Sequence, residues 1–251
     1  APSARGTHST MEIINTLFPL NRTIYITPDF HQVITSRPRM SDVCGEPLID
    51  ISSSSMAAYT ANLKRIGDIA VSSLCLIALS PLMIAIAVAV KLSSPGPAIY
   101  SQERIGYHKK PFKIFKFRSM VTGAEPSGPA LSSPNDSRIT RTGQFLRKYR
   151  LDELPQFWNV LRGDMSLVGP RPERAFYVSQ IIERAPYYSL VHQVRPGITS
   201  WGIVKFGYAS SVDEMIERLR YDLIYIENVS FLVDLRILFH TIDTIFRGRG
   251  I

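Results

Sequence analysis

The groups best able to do chemistry are concentrated between Arg150 and Arg174, which reads RLDELPQFWNVLRGDMSLVGPRPER. Asp152 and Glu153 are adjacent carboxylates just ahead of a helix-like stretch, Leu154 to Leu161. Pro155 suits its first turn and Gly163 its C-terminal end. This spacing predicts Asp152 at or beside a helix N-cap, where the positive helix end favours the ionised carboxylate. The same helix end offers free backbone donors to a bound phosphate. An ionised carboxylate beside a phosphate site is what an aspartyl-phosphate mechanism requires. On helical geometry Glu153 points about 100° away from Asp152, so the two do not share a proton. Glu153 suits instead a Mg²⁺ ligand, with the ion bridging a diphosphate. Most lone Asp-Glu pairs are solvated caps, so the pair needs cations around it.

Several basic residues qualify. Arg171 stands between Pro170 and Pro172, which fix the backbone on both sides and let the side chain offer a rigid fork to phosphate. Arg195-Pro196-Gly197 repeats the device. Lys116 and Arg118 alternate with Phe115 and Phe117 in PFKIFKFRSM, Pro111 to Met120, a predicted strand with one basic face. Arg147 belongs to a basic amphipathic helix predicted over Arg138 to Tyr149. Taken singly, each could equally be a solvated charge or part of a surface turn.

The elements that position these groups begin with Ile69 to Val90, a run without a charged residue. It is about as long as the ~20 helical residues needed to cross a bilayer. Pro81, preceded by Ser80, falls at its middle and should bend it. Lys64 and Arg65 flank one end and Lys91, Arg104, Lys109 and Lys110 follow the other, so both ends are basic. That favours a helix that dips in and returns to the same side over a simple crossing, although composition leaves both open. In the dipping form the Ser80 hydroxyl would satisfy a carbonyl freed by the proline. The segment AIYSQERIG predicts a strand and turn, and Glu125 to Asp136, rich in Pro, Ser and Gly, a mobile lid-like loop. Leu232, Leu235, Phe239, Ile242 and Phe246 recur at helical spacing, on a helix that either faces the core or lies in a membrane interface.

The 251 residues carry a formal charge of +8, which calls for an anionic partner: nucleic acid, a membrane surface or a phosphorylated small molecule. The apolar run fits a nucleic-acid binder poorly. Cys44 and Cys75 have no metal-ligand spacing and suit a reducing cytosolic face. Ala1 to Thr10 are small and polar ahead of Met11, and Met11 to about Ser55 reads as a small irregular or α/β segment without a motif.

From about Leu63 to Gly250 the sequence resembles the monotopic phosphoglycosyl transferases, also called bacterial sugar transferases. The resemblance rests on KRIGDIAVSS…LSPLM, YSQERIG, FKIFKFRSM, LDELPQFWNVLRGDMSLVGPRP and VRPGITSWG. It implies an α+β, mainly helical fold with a re-entrant membrane hairpin over residues 66–92 broken at Ser80-Pro81, interfacial amphipathic helices and a short β-hairpin. The catalytic domain would cover residues 61–250, with residues 1–60 a remnant of the N-terminal domain of longer members, whose end Pro47 to Ile51 resembles. Asp152 would be the nucleophile and Glu153 the Mg²⁺ ligand. Lys116, Arg147 and Arg171 would handle phosphates or nucleotide, and Asp222 would be a supporting carboxylate; Arg118 and Arg195 stay candidates from the basic pattern alone. Many members follow the RPGIT motif with Gln-Val-Asn-Gly-Arg; here GIVKFGY follows Trp201, and Lys205 is the candidate for the missing cation. The implied reaction moves a sugar-1-phosphate from a UDP-sugar to polyprenyl phosphate, releasing UMP and starting assembly of an exopolysaccharide, capsule, O-antigen or protein-linked glycan. The implied setting is the bacterial inner membrane, catalytic side to the cytoplasm, with phospholipid and a homodimeric copy as further partners. The alternative is a catalytically inactive membrane scaffold for later enzymes.

Overall fold

The computed structural model describes residues 25–26, 40–43, 46–50, 58–125, 128–131 and 136–248. The boundaries of the N-terminal segment, its first ten residues and Cys44 lie outside these, as do parts of the loop from Glu125 to Asp136. Strands β1 (Tyr25–Ile26), β2 (Met40–Val43) and β3 (Glu46–Asp50) form an antiparallel sheet with β3 central.

The remainder is mainly helical, as predicted. Helix α1 (Ala58–Ala78) runs into α2 (Ser80–Ser93) with a bend of 62° at Leu79. Pro81 has no N–H, so the carbonyl four residues back, on Ile77, loses its helical partner. The Ser80 hydroxyl donates to that carbonyl at 2.8 Å, which makes the break inexpensive. Among the described residues no single helix is long and apolar enough to cross a bilayer, and the bent pair is so only with both arms counted.

The predicted hairpin is β4 (Ile99–Ile105) paired antiparallel with β5 (Pro111–Phe117), opposing Tyr100 to Lys116 and Ile105 to Pro111. Next come α3 (Arg141–Lys148), a 3-10 turn over Leu151–Glu153, α4 (Gln156–Arg162), β6 (Ser166–Val168) and α5 (Ala175–Arg184). Strand β7 (Gly197–Thr199) pairs parallel with β6 and leads into α6 (Trp201–Lys205), α7 (Val212–Glu227) and α8 (Phe231–Phe246).

Among the described residues, three apolar clusters hold these pieces. The largest joins Val168, Tyr177, Ile181, Tyr188, Leu219 and Ile237, so α5, α7 and α8 close over β6. A second sets Ile86 and Val90 of α2 against Phe117 of β5 and Leu146 of α3, fastening the bent helix to the hairpin. A third unites Ile114, Val160 and Met165. Asn159 is fully buried and covers the open edge of β5: its Oδ1 accepts from the Phe115 N–H at 3.0 Å and its Nδ2 donates to the Lys113 carbonyl at 2.7 Å. This single amide fixes α4 against the strand that carries Lys116.

The stripe at helical spacing on α8 faces outward, not into the core. Leu232, Phe239 and Phe246 are 75%, 76% and 82% exposed, while Ile237 and Asp234 point inward. Periodicity identified the stripe correctly but does not tell a protein core from a bilayer, since both select apolar residues.

Replacing Asn159 with Ala removes the partner of the part-buried Phe115 N–H and of the Lys113 carbonyl, at a cost of about 0.5–1.5 kcal/mol for each lost hydrogen bond. Thermal unfolding of Asn159→Ala is expected at clearly lower temperature than wild type; an unchanged midpoint would show that the edge is held by other means.

Candidate active site

Four segments converge on the carboxylate pair: β5 with Lys116, the end of α3 with Arg147, the 3-10 turn with Asp152 and Glu153, and the Pro170-Arg171-Pro172 loop. Gly143 lets α3 pack against the Ser119 backbone, because a Cβ there would lie 1.9 Å from the Ser119 carbonyl oxygen. That approach sets the Arg147 Nε to donate to the Ser119 hydroxyl at 2.8 Å.

Glu153 is 5% exposed and gathers three cations. Its Oε1 accepts from the Lys116 ammonium at 2.7 Å and from Arg171 at 3.2 Å, and its Oε2 accepts from Arg150 at 2.9 Å. Burial pushes the Glu153 carboxyl up, yet Lys116, Arg150 and Arg171 outweigh it and hold it well below the usual carboxylate range. Arg171 and Arg150 also stack on the Tyr208 ring, at 4.8 Å and 5.5 Å from its centroid.

Asp152 is buried too, and its electrostatic neighbours are Lys116, Arg147 and Arg150. Here burial dominates and raises the carboxyl above its ordinary value; Glu153 adds to the rise and the three cations oppose it. The predicted helix N-cap is not what acts on it. Asp152 lies inside the 3-10 turn and Pro155 holds the N-cap position of α4, so the cations, not a helix end, favour the ionised form. A carboxylate stripped of water and faced by cations is a competent nucleophile toward an anion that those cations bind.

The other predicted residues separate into two groups. Lys116, Arg147 and Arg171 meet at the pair. Arg118 does not: it is buried and donates to the carbonyls of Ser94 at 2.6 Å, Pro95 at 3.0 Å and Val90 at 3.3 Å, capping the end of α2. Its phosphate role is therefore corrected to a structural one, since β5 ends at Phe117 and the chain turns before it. Arg195 sits by the far end of α4, donating to the Gly163 carbonyl at 3.0 Å and stacking on Tyr107. Lys205 is exposed and lies over Trp201 at 4.8 Å. Asp222 accepts the Gly202 N–H at 3.2 Å, beside Arg218, and steadies the start of α6.

The family model described as bacterial sugar transferase matches residues 59–248. The chain belongs to the bacterial sugar transferase family. It is 40% identical to the UDP-N-acetylgalactosamine-undecaprenyl-phosphate N-acetylgalactosaminephosphotransferase of Aeromonas hydrophila, over 90% of this chain and 53% of that protein. It is 37% identical to the UDP-glucose:undecaprenyl-phosphate glucose-1-phosphate transferase of Escherichia coli (strain K12), over 94% of this chain and 51% of that protein. A protein of the same name from Caulobacter vibrioides is 39% identical over 72% of this chain and 69% of its own length. The chain thus spans about half the length of the first two.

In this bacterial sugar transferase, sequence reasoning missed Arg150, Ser119, Tyr208 and Glu173. Arg150 adopts a left-handed backbone (φ 54°), which turns its side chain onto Glu153 across the 3-10 turn. Glu173 locks the arginine loop by binding Arg218 at 2.7 Å and Arg104 at 3.3 Å. The adjacency of Arg150 to Leu151-Asp152 and of Glu173 to Arg171-Pro172 was the available signal.

Among the described residues no three His, Cys, Asp or Glu side chains converge on a metal position. Mg²⁺ commonly takes one or two carboxylates and fills its octahedron with water and substrate phosphate. Glu153 Oε2 accepts a single bond, from Arg150, and keeps a lone pair. The site thus fits an ion that arrives with a diphosphate.

Burial raises the Asp222 carboxyl from 3.8 to about 6, against the opposing pull of Arg218 and its hydrogen bonds. A raised value means the folded state favours the protonated form, so stability present below about pH 4 is lost as pH rises through about 6. Asp222→Asn keeps an acceptor for Gly202 but removes this titration. Its unfolding temperature relative to wild type is expected to climb between pH 4 and pH 7; parallel profiles would contradict the assignment.

Proposed function

We propose that this chain transfers a sugar-1-phosphate from a nucleotide-sugar to polyprenyl phosphate through a covalent adduct on Asp152. The observation that carries the reading is the contrast between the two carboxylates. Glu153 is ion-paired to Lys116, Arg150 and Arg171, whereas Asp152, facing Lys116, Arg147 and Arg150, has no hydrogen-bonded ion pair of its own among the described residues. Family membership and the relatives' names supply the substrate class, a UDP-sugar and undecaprenyl phosphate.

In the first step an Asp152 oxygen forms a bond to the sugar-proximal phosphorus, the bond to the bridging oxygen breaks, and UMP leaves with the electron pair. In the second, an oxygen of the lipid phosphate bonds to that phosphorus and the Asp152 carboxylate departs. Lys116, Arg147, Arg150 and Arg171 position the diphosphate and offset charge that develops on it. Glu153, with Asp152 nearby, would hold Mg²⁺, which supplies further charge neutralisation at the diphosphate when bound. Glu153 does more than this: it keeps Lys116 and Arg150 within reach of Asp152 and holds Arg171 beside them.

The exposed apolar surface supports a membrane seat. Leu74, Ile77 and Ile84 near the bend and the outward stripe of α8 would otherwise meet water. Ile86 and Val90 pack α2 on the hairpin, so a re-entrant α1–α2 pair would carry Lys116 near the headgroup plane, where a lipid phosphate emerges. The inner-membrane, cytoplasm-facing setting and a glycan-initiating role follow from the same reading.

Asp152→Asn is expected to abolish UMP release from UDP-sugars; near-normal turnover would favour direct displacement, and no release by wild type would favour the scaffold. The ionised form of Asp152 is the reactive one, and its carboxyl is raised, so activity should fall on the acid side at a pH above that of an ordinary aspartate. Lys116 lowers that carboxyl, so Lys116→Gln should move the acid limb to higher pH as well as reducing the rate. An unmoved limb would contradict the electrostatic coupling.

A further inference from the structure

Among the described residues Tyr208 is the aromatic ring packed on Arg150 and Arg171, and the mechanism above gives it no role. Its position is tightly specified. The N-terminal residue Ser200 caps α6 by accepting the Ile203 N–H at 2.9 Å, and Asp222 accepts the Gly202 N–H. At the other end Phe206 and Gly207 close the helix by donating to the Gly202 and Ile203 carbonyls. Gly207 has φ +98°, a left-handed turn that a side chain would strain, and this turn aims the chain back at the site. Tyr208 follows directly. Its ring lies over the guanidinium groups of Arg171 and Arg150, yet the residue remains 39% exposed.

The two guanidinium groups are themselves fixed by Glu153, so the ring is mounted on a rigid cationic base with surface left over for a ligand. In-line displacement places the leaving group opposite the attacking Asp152 oxygen. The nucleotide half of the donor therefore extends away from Asp152, along the cations that bind its phosphates. Lys116, Arg147 and Arg150 are neighbours of Asp152, whereas Arg171 runs from Glu153 to Tyr208, with Arg150 spanning both ends. On the nucleotide-sugar reading, the group left to reach the Tyr208 end would be the nucleoside.

We propose that Tyr208 is the stacking platform for the donor's nucleobase, and so a determinant of nucleotide affinity. The inference rests on the nucleotide-sugar reading above and extends it to a specific residue and ligand moiety. A planar base on the exposed ring surface continues the stack of guanidinium and phenol, and base–aromatic stacking of this kind is tolerant of the base's edge groups. It follows that Tyr208 recognises a pyrimidine as a flat ring and leaves the identity of the sugar to other residues.

The test is equilibrium binding of UMP to the purified full chain in detergent, alongside steady-state kinetics with two different UDP-sugars. Tyr208→Ala is expected to weaken UMP binding about tenfold and to raise the donor KM in step for both sugars, with kcat changed far less. Tyr208→Phe keeps the ring and should bind UMP like wild type, and Tyr208→Trp should bind it at least as well. If wild type and Tyr208→Ala bind UMP equally, the platform is refuted while the donor reading stands. A change confined to one UDP-sugar would also refute it, by assigning the ring to sugar contact. Failure of wild type itself to bind UMP would overturn the donor reading and this inference together. Should Tyr208→Ala not fold, the Phe and Trp variants decide: loss of UMP binding in both contradicts a role for the ring.

Discussion

The site depends on one buried carboxylate holding three cations at once. Glu153 draws Lys116 from the hairpin, Arg150 from the turn and Arg171 from the proline-flanked loop onto a single pair of oxygens. Removing any partner leaves charge buried without compensation, which is far more costly than an exposed pair. The arrangement concentrates positive potential beside Asp152 without neutralising Asp152 itself. Adjacent residues in the chain thus acquire opposite properties: Glu153 is held ionised well below the usual range, while Asp152 is pushed upward by burial.

Supporting structure is arranged around that cluster. Asn159 fixes the strand bearing Lys116, Arg118 fastens the end of α2 to the residues just before the hairpin, and Glu173 braces the loop bearing Arg171 through Arg104 and Arg218. Each is a buried polar side chain whose hydrogen bonds go to backbone or to opposite charge, and none needs to touch a substrate. The bend at Leu79 extends the same logic to the apolar pair: Ser80 satisfies what Pro81 leaves open, so the angle between α1 and α2 is held without an orphaned carbonyl at Ile77.

Much of this was legible in the sequence. The Asp152-Glu153 pair, the clamp on Arg171, the Ser80-Pro81 break and the strand bearing Lys116 all follow from local rules about prolines, alternation and charge. Where reading failed, the reason was tertiary. Lys116 and Arg118 share a strand face by alternation, but β5 stops at Phe117 and Arg118 is spent on carbonyls that no local pattern reveals. Asp152 was placed at a helix tip because a 3-10 turn followed by a proline looks, in one dimension, like the first turn of a helix. Arg150 depends on a left-handed backbone at a non-glycine residue, which sequence does not announce. Arg195 mimics Arg171 in its proline neighbour and still serves the opposite end of α4.

The proposed mechanism requires phosphorus to become bonded to Asp152. Intact-mass analysis of the protein incubated with a UDP-sugar and no lipid acceptor tests this most directly, followed by mapping of the modified peptide. The expected result is a mass gain of one sugar-phosphate on the peptide containing Asp152, discharged on adding polyprenyl phosphate. Full turnover with no adduct at any time, or an adduct on a different residue, would contradict it.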